Sequence, residues 1–300
     1  MYYGCLDSCG GCNASAALPP GVLAPDVVIA PGVSMPPVLF GTAGLGERTN
    51  ELTRAALAAG FRGVDSAQAR EWYREDLVGA AIAASGADRE RLFLVSKVHP
   101  RNLGYWNTLA MGQQSLVDLK TRSVDLLLLH YPECVADLCG GIDPEGSAAD
   151  SWAALQELQA EGVARAIGVA NFDVEQLADL IEKTKRPPAV AFAPSDPTAP
   201  NQPLVAFCER NGIVFVATSP LGPTATAHPG AHIADLQPQV KTVAARRNVT
   251  PAAAALRWAL ARGKAVVASG PEGLEALTAP LEESDLLLID TIADKSDPNA

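Results

Sequence analysis

A helical apolar stretch, a glycine and a short β-branched run follow one another repeatedly along this chain. The clearest copies are AALAAGFRGVDS around Gly60, LQELQAEGVARAIGV around Gly162, VAFCERNGIVFVATS around Gly212 and LRWALARGKAVVAS around Gly263. In each, the glycine supplies the left-handed backbone that ends a helix, and the apolar period then changes from helical to that of a strand. Further strands are predicted from Leu92 to Lys97 and from Val124 to His130, where VDLLLLH is the unbroken apolar run that a parallel strand buried on both faces requires. Between strands the helical period is kept, as at Val174, Leu177, Leu180 and Ile181, with Asp173 and Gln176 spaced as a capping box.

Strands near residues 38, 63, 92, 124, 166, 189, 214 and 265, each followed by a helical pattern, make eight β/α units. That number predicts an α/β fold of the (β/α)₈ TIM-barrel type, with eight parallel strands closed on themselves. The competing topology is an open doubly wound sheet, but no strand runs into a helix through a GxGxxG-type turn. Residues 1–32 are rich in Gly, Pro, Ala and Cys and read as a tail, residues 33–293 as the barrel, and residues 294–300 as a C-terminal tail.

Composition narrows the partners. With 300 residues and 48% hydrophobic side chains the chain can bury a large core, and its formal charge of −11 disfavours nucleic acid and anionic membranes. No apolar run is long enough for a membrane span, and the first basic residue is Arg48, so the opening segment lacks the cationic start of an export signal. Six cysteines in such a chain are read as reduced thiols, and a cytoplasmic monomer acting on a small molecule is expected.

In a barrel the reactive groups stand at the C-terminal ends of strands. Asp65 closes GFRGVDSA, Lys97 closes LFLVSK and His130 closes DLLLLH, while Tyr73 lies in the loop or first helical turn after the Asp65 strand. Three successive strands that end in Asp, Lys and His are more than composition would supply.

From about Val33 to Leu221 the chain resembles the aldo-keto reductase superfamily, through VLFGTAGLG, GFRGVDSA, YREDLVG, LFLVSK, VDLLLLHYPE, AIGVANF and TSPLG. The spacing from Asp65 to Tyr73 is longer than usual and matches a branch with an extended loop there. The resemblance implies reduction of a carbonyl by hydride transfer from NADPH or NADH, with Asp65, Tyr73, Lys97 and His130 as the catalytic set and Gly41, Thr42, Asn171, Ser219, Leu221 and Ser269 as cofactor contacts. The negative charge that builds on oxygen needs a donor within hydrogen-bond reach, and Tyr73 would be that donor, with Lys97 expected to lower the phenol pKa, Asp65 to hold Lys97, and His130 to donate to and orient the carbonyl oxygen. Aligned with the shorter family form of the loop, Trp72 would replace Tyr73. The resemblance also exposes departures. Ala170 stands where the family has a serine, Phe192 near its glutamine, and Thr218 at its stacking tyrosine. NADPH-preferring members carry Lys and Arg near the last strand to pair with the 2′-phosphate, whereas VVASGPEGLEAL from Val266 holds Glu272 and Glu275 and no base.

Those departures keep open a second function, a cofactor-sensing or regulatory barrel with little catalysis. A third comes from Cys5, Cys9 and Cys12, whose C-x₃-C-x₂-C spacing suits three thiolates on an iron–sulfur cluster, although incidental thiols in a tail are the simpler reading and no metal site is assigned. Cys134 and Cys139 read as ordinary loop thiols.

Overall fold

The computed structural model describes residues 24–134, 136–223, 232 and 236–294. Cys5, Cys9 and Cys12 lie outside them. Ten strands form: β1 Val27–Ala30, β2 Val33–Met35, β3 Val38–Gly41, β4 Gly63–Asp65, β5 Phe93–Val98, β6 Val124–Leu129, β7 Ala164–Ala170, β8 Val190–Pro194, β9 Val214–Thr218 and β10 Ala265–Ala268. Strands β3 to β10 close into a barrel in sequence order, every neighbouring pair parallel, with β10 completing the ring against β3. The eight predicted strands are all present, and each connection between them carries a helix.

Helix Thr49–Ala59 ends on Gly60 at φ 110°, and helix Ala148–Ala160 is followed by Gly162 at φ 79°, a backbone that a side chain would strain. Gly212 and Gly263 are also left-handed, so the helix, glycine, strand reading holds in all four copies. The capping box forms as well, with Asp173 accepting from the Gln176 N–H at the start of helix Val174–Thr184.

Two apolar layers result. Alternate strand residues such as Val64, Leu94, Leu127 and Val169 face the helices, and the residues between them, including Leu39, Phe93, Val95, Leu126, Leu128, Phe192 and Val216, fill the lumen. The antiparallel hairpin of β1 and β2 joins this inner layer through Ile29, Val33 and Met35. Because β3 starts just after β2, the hairpin plugs the end of the barrel where the strands begin. Asp26, just before the hairpin, pairs with Arg62, and Arg165 donates to the Gly32 carbonyl at the turn. The first hairpin strand thus falls inside the segment read as tail.

Cys134 and Cys139 are joined in a disulfide rather than standing as free thiols. The loop after β6 turns into the short helix Ala136–Cys139 and brings their Cα atoms to 5.9 Å, within bridging range. Cys208 is a buried thiol. Among the described residues no helix is long and apolar enough to cross a membrane, and no cluster of His, Cys, Asp and Glu is placed to hold a metal ion.

Candidate active site

The period of two along each strand gathers the polar residues. In β4 Gly63 and Asp65 share a face; in β5 Phe93, Val95 and Lys97 do; and Leu126, Leu128 and His130 do the same along and just beyond β6. The earlier members of the β5 and β6 series belong to the lumen layer. Asp65, Lys97 and His130 therefore cap that layer at the C-terminal mouth. The Tyr73 ring comes from the following loop, where a tight turn sends the N–H groups of Trp72 and Tyr73 to the Ala69 carbonyl.

Lys97 Nζ is 2.7 Å from Asp65 Oδ1, donates to the Ser66 carbonyl at 2.9 Å, and stands 5.0 Å from the centroid of the Tyr73 ring. Tyr73 and His130 meet edge to face with centroids 5.8 Å apart. Trp72 instead points outward, 61% exposed, so of the two rings it is Tyr73 that lies against Lys97. Burial alone would push the Lys97 ammonium toward the neutral form, but the Asp65 carboxylate and the Tyr73 oxygen reverse this and hold its pKa above the ordinary value. The Tyr73 phenol departs from expectation. Its pKa lies above the usual value because loss of solvent outweighs the pull of Lys97. His130 is held well below the usual imidazole value by burial first, then by Lys97 and His99, so it is neutral. Its Nδ1 is buried without a partner, which favours placing the ring proton on Nε2 and leaving no orphaned donor.

A cavity of about 390 Å³ crosses the mouth from Asp65, Tyr73, Lys97 and His130 to Asn171, Ser219, Leu221, Ser269 and Glu272, with Gly41 on its wall. A smaller one of about 250 Å³ opens beside Tyr73 and His130 between Ala43, Trp72, Pro100, Tyr131 and Leu138. Five of the six expected cofactor contacts line the larger cavity. Thr42 does not: it is fully buried, and its hydroxyl and N–H both donate to the Asp65 carbonyl. Phe192 is packed into the lumen, while Ala170 and Thr218 reach the cavity wall.

The donor set suits a nicotinamide dinucleotide in part. Asn171, in left-handed conformation, spends its side-chain N–H on the His130 carbonyl, which fixes its carboxamide at the cavity wall. Residues Ser219 to Gly222 form a tight turn closed by the Gly222 N–H on the Ser219 carbonyl. Together with the Ser269 hydroxyl these groups match the amide and sugar–diphosphate portions of such a molecule. Among the described residues no Lys or Arg other than Lys97 lines the cavity.

Two features were missed in the sequence. Glu75 is buried behind β5 and accepts from Ser96 and Ser115 at 2.5 and 3.1 Å; burial raises its pKa to about 7. Glu71 lies in the smaller cavity, accepting from His99 Nε2 at 2.9 Å and Arg101 at 3.1 Å. The REWYRED and SKVHPR segments contained these residues, but nothing in their spacing marked them.

An all-parallel eight-stranded barrel with a carboxylate, an ammonium, a phenol and an imidazole at its mouth defines an oxidoreductase that works on carbonyl compounds with a nicotinamide cofactor. The chain belongs to the aldo/keto reductase family, whose model matches residues 37–291. An aldo-keto reductase of Mycolicibacterium smegmatis is 34% identical over 251 residues, 82% of each chain. The glyoxal reductase of Bacillus subtilis is 34% identical over 219 residues, covering 73% of this chain and 71% of its own. The crystal structure of a Bombyx mori aldo-keto reductase in complex with NADP superposes with a TM-score of 0.78 at 26% identity, over 90% of this chain and 93% of that one. As a family member this chain is an NAD(P)H-dependent oxidoreductase for small carbonyl substrates.

Proposed function

We propose that this chain reduces an aldehyde or ketone to the alcohol with Tyr73 as general acid, assisted by Lys97, Asp65 and His130. The observation that carries the reading is Lys97, buried with its ammonium between the Asp65 carboxylate and the Tyr73 ring. A nicotinamide held by Asn171, Ser219, Leu221 and Ser269 supplies the hydride when bound.

This chain's own groups handle the proton. The substrate oxygen lies between the Tyr73 hydroxyl and the neutral His130 ring, which donates through Nε2 and fixes the carbonyl's orientation. As charge grows on that oxygen, Tyr73 gives up its proton, and the raised phenol pKa keeps it protonated until then. The resulting phenolate faces Lys97, whose charge is anchored by Asp65 and the Ser66 carbonyl. Thr42, holding the Asp65 carbonyl with two hydrogen bonds, keeps the end of β4 in register with this pair. Among possible substrates the smaller cavity favours a compact carbonyl compound, since Trp72, Pro100, Tyr131 and Leu138 wall it.

Tyr73→Phe is expected to lower kcat about 10²- to 10⁴-fold with nucleotide affinity unchanged. Wild-type turnover in that variant, measured against a panel of short aldehydes, would remove Tyr73 from the role. A second reading, a nucleotide sensor with little turnover, is favoured by Ala170, Phe192 and Thr218; nucleotide binding by calorimetry with no turnover on the same panel would support it instead.

A further inference from the structure

We infer that Glu272 makes this chain select a nicotinamide dinucleotide without a 2′-phosphate, so that NADH rather than NADPH is its hydride donor. The inference rests on the reading that such a dinucleotide occupies the mouth. With its nicotinamide beside Tyr73 and Lys97 the dinucleotide would run across the mouth, and its adenosine ribose would fall to the part of the cavity that Ser269 and Glu272 line.

Glu272 is half-buried there, and no described residue forms an ion pair or hydrogen bond with its carboxylate. The carboxylate folds back over Gly270, where a Cβ would collide with it, so it covers the turn that leaves β10. A carboxylate in this place accepts hydrogen bonds from the hydroxyls of an unmodified ribose. A phosphate dianion on the same ribose would meet it as a like charge in a partly desolvated site, with no Lys or Arg beside it among the described residues.

Lys97 serves Asp65 and Ser66. Arg257, next to the lining residue Leu256, is buried, donates to the Leu277 carbonyl and leaves Nη2 without a partner, but it does not line the cavity. Lys264 is spent on Ser195 and Pro200. Arg246 and Arg247 pair with Asp285. The second acid of this region, Glu275, is turned aside to accept from the N–H and hydroxyl of Thr250, which leaves Glu272 as the discriminating charge.

The test is calorimetric titration of the full chain with NAD⁺ and with NADP⁺ near physiological salt, on the wild type and on Glu272→Gln and Glu272→Arg. The wild type should bind NAD⁺ at least tenfold more tightly than NADP⁺, Glu272→Gln should narrow that ratio several-fold, and Glu272→Arg should invert it. The ratio of kcat/KM with NADH to that with NADPH should follow. Equal or tighter binding of NADP⁺ by the wild type, or a ratio unmoved by Glu272→Gln, would overturn the selectivity and leave the proposed reductase standing. Binding of neither nucleotide would overturn both.

Discussion

Glu75 takes no part in the proposed chemistry, yet it sits one strand thickness away from it. Ser96, which donates to Glu75 on the outer face of β5, is the neighbour of Lys97, which faces inward. Because burial raises the Glu75 pKa from 4.5 to about 7, the folded chain holds a proton that the unfolded chain has released. Stability from this group is therefore complete below about pH 4.5 and is lost as pH rises toward 7. Glu75→Gln should flatten that slope, removing a change of at most about 3 kcal/mol, as urea unfolding at a series of pH values would show. An unchanged slope would place the proton elsewhere.

At the scale of elements, the hairpin of β1 and β2 is the part whose contribution is most separable. Met35 is fully buried among lumen side chains, so Met35→Ala should cost about 2–5 kcal/mol. Thermal unfolding should register this as a fall of roughly 2–4 °C per kcal/mol, with kcat unchanged. The strands and helix ends were legible because they depend on local rules: VDLLLLH reads as a doubly buried strand whatever surrounds it, and Gly60 or Gly162 ends a helix by its own backbone. Asp65, Lys97 and His130 were legible for the same reason, as polar residues closing apolar strands. What escaped depends on partners far apart in sequence. Thr42 looked free for a cofactor until β3 and β4 paired and its hydroxyl turned to Asp65. The Tyr73 pKa was misjudged because the ammonium was visible in the sequence and the burial was not. The pairing of Cys134 with Cys139 needed the turn after β6, and the hairpin needed the barrel end it fills.

For the molecule as a whole, a formal charge of −11 spread over one barrel is self-repelling. Raising ionic strength from about 0.01 to 0.15 M shortens the screening length from about 30 to 8 Å, so the melting temperature should rise by roughly 2 °C. A fall would mean that ion pairs such as Arg246 and Arg247 with Asp285 outweigh the general repulsion.

The plug of Ile29, Val33 and Met35 makes the barrel a vessel stopped at its base. Whatever reacts beside Tyr73 comes and goes on the side of the ring where the strands end. The two cavities share Ala43, Tyr73, His130 and Tyr131 as walls, so a guest in one borders whatever fills the other.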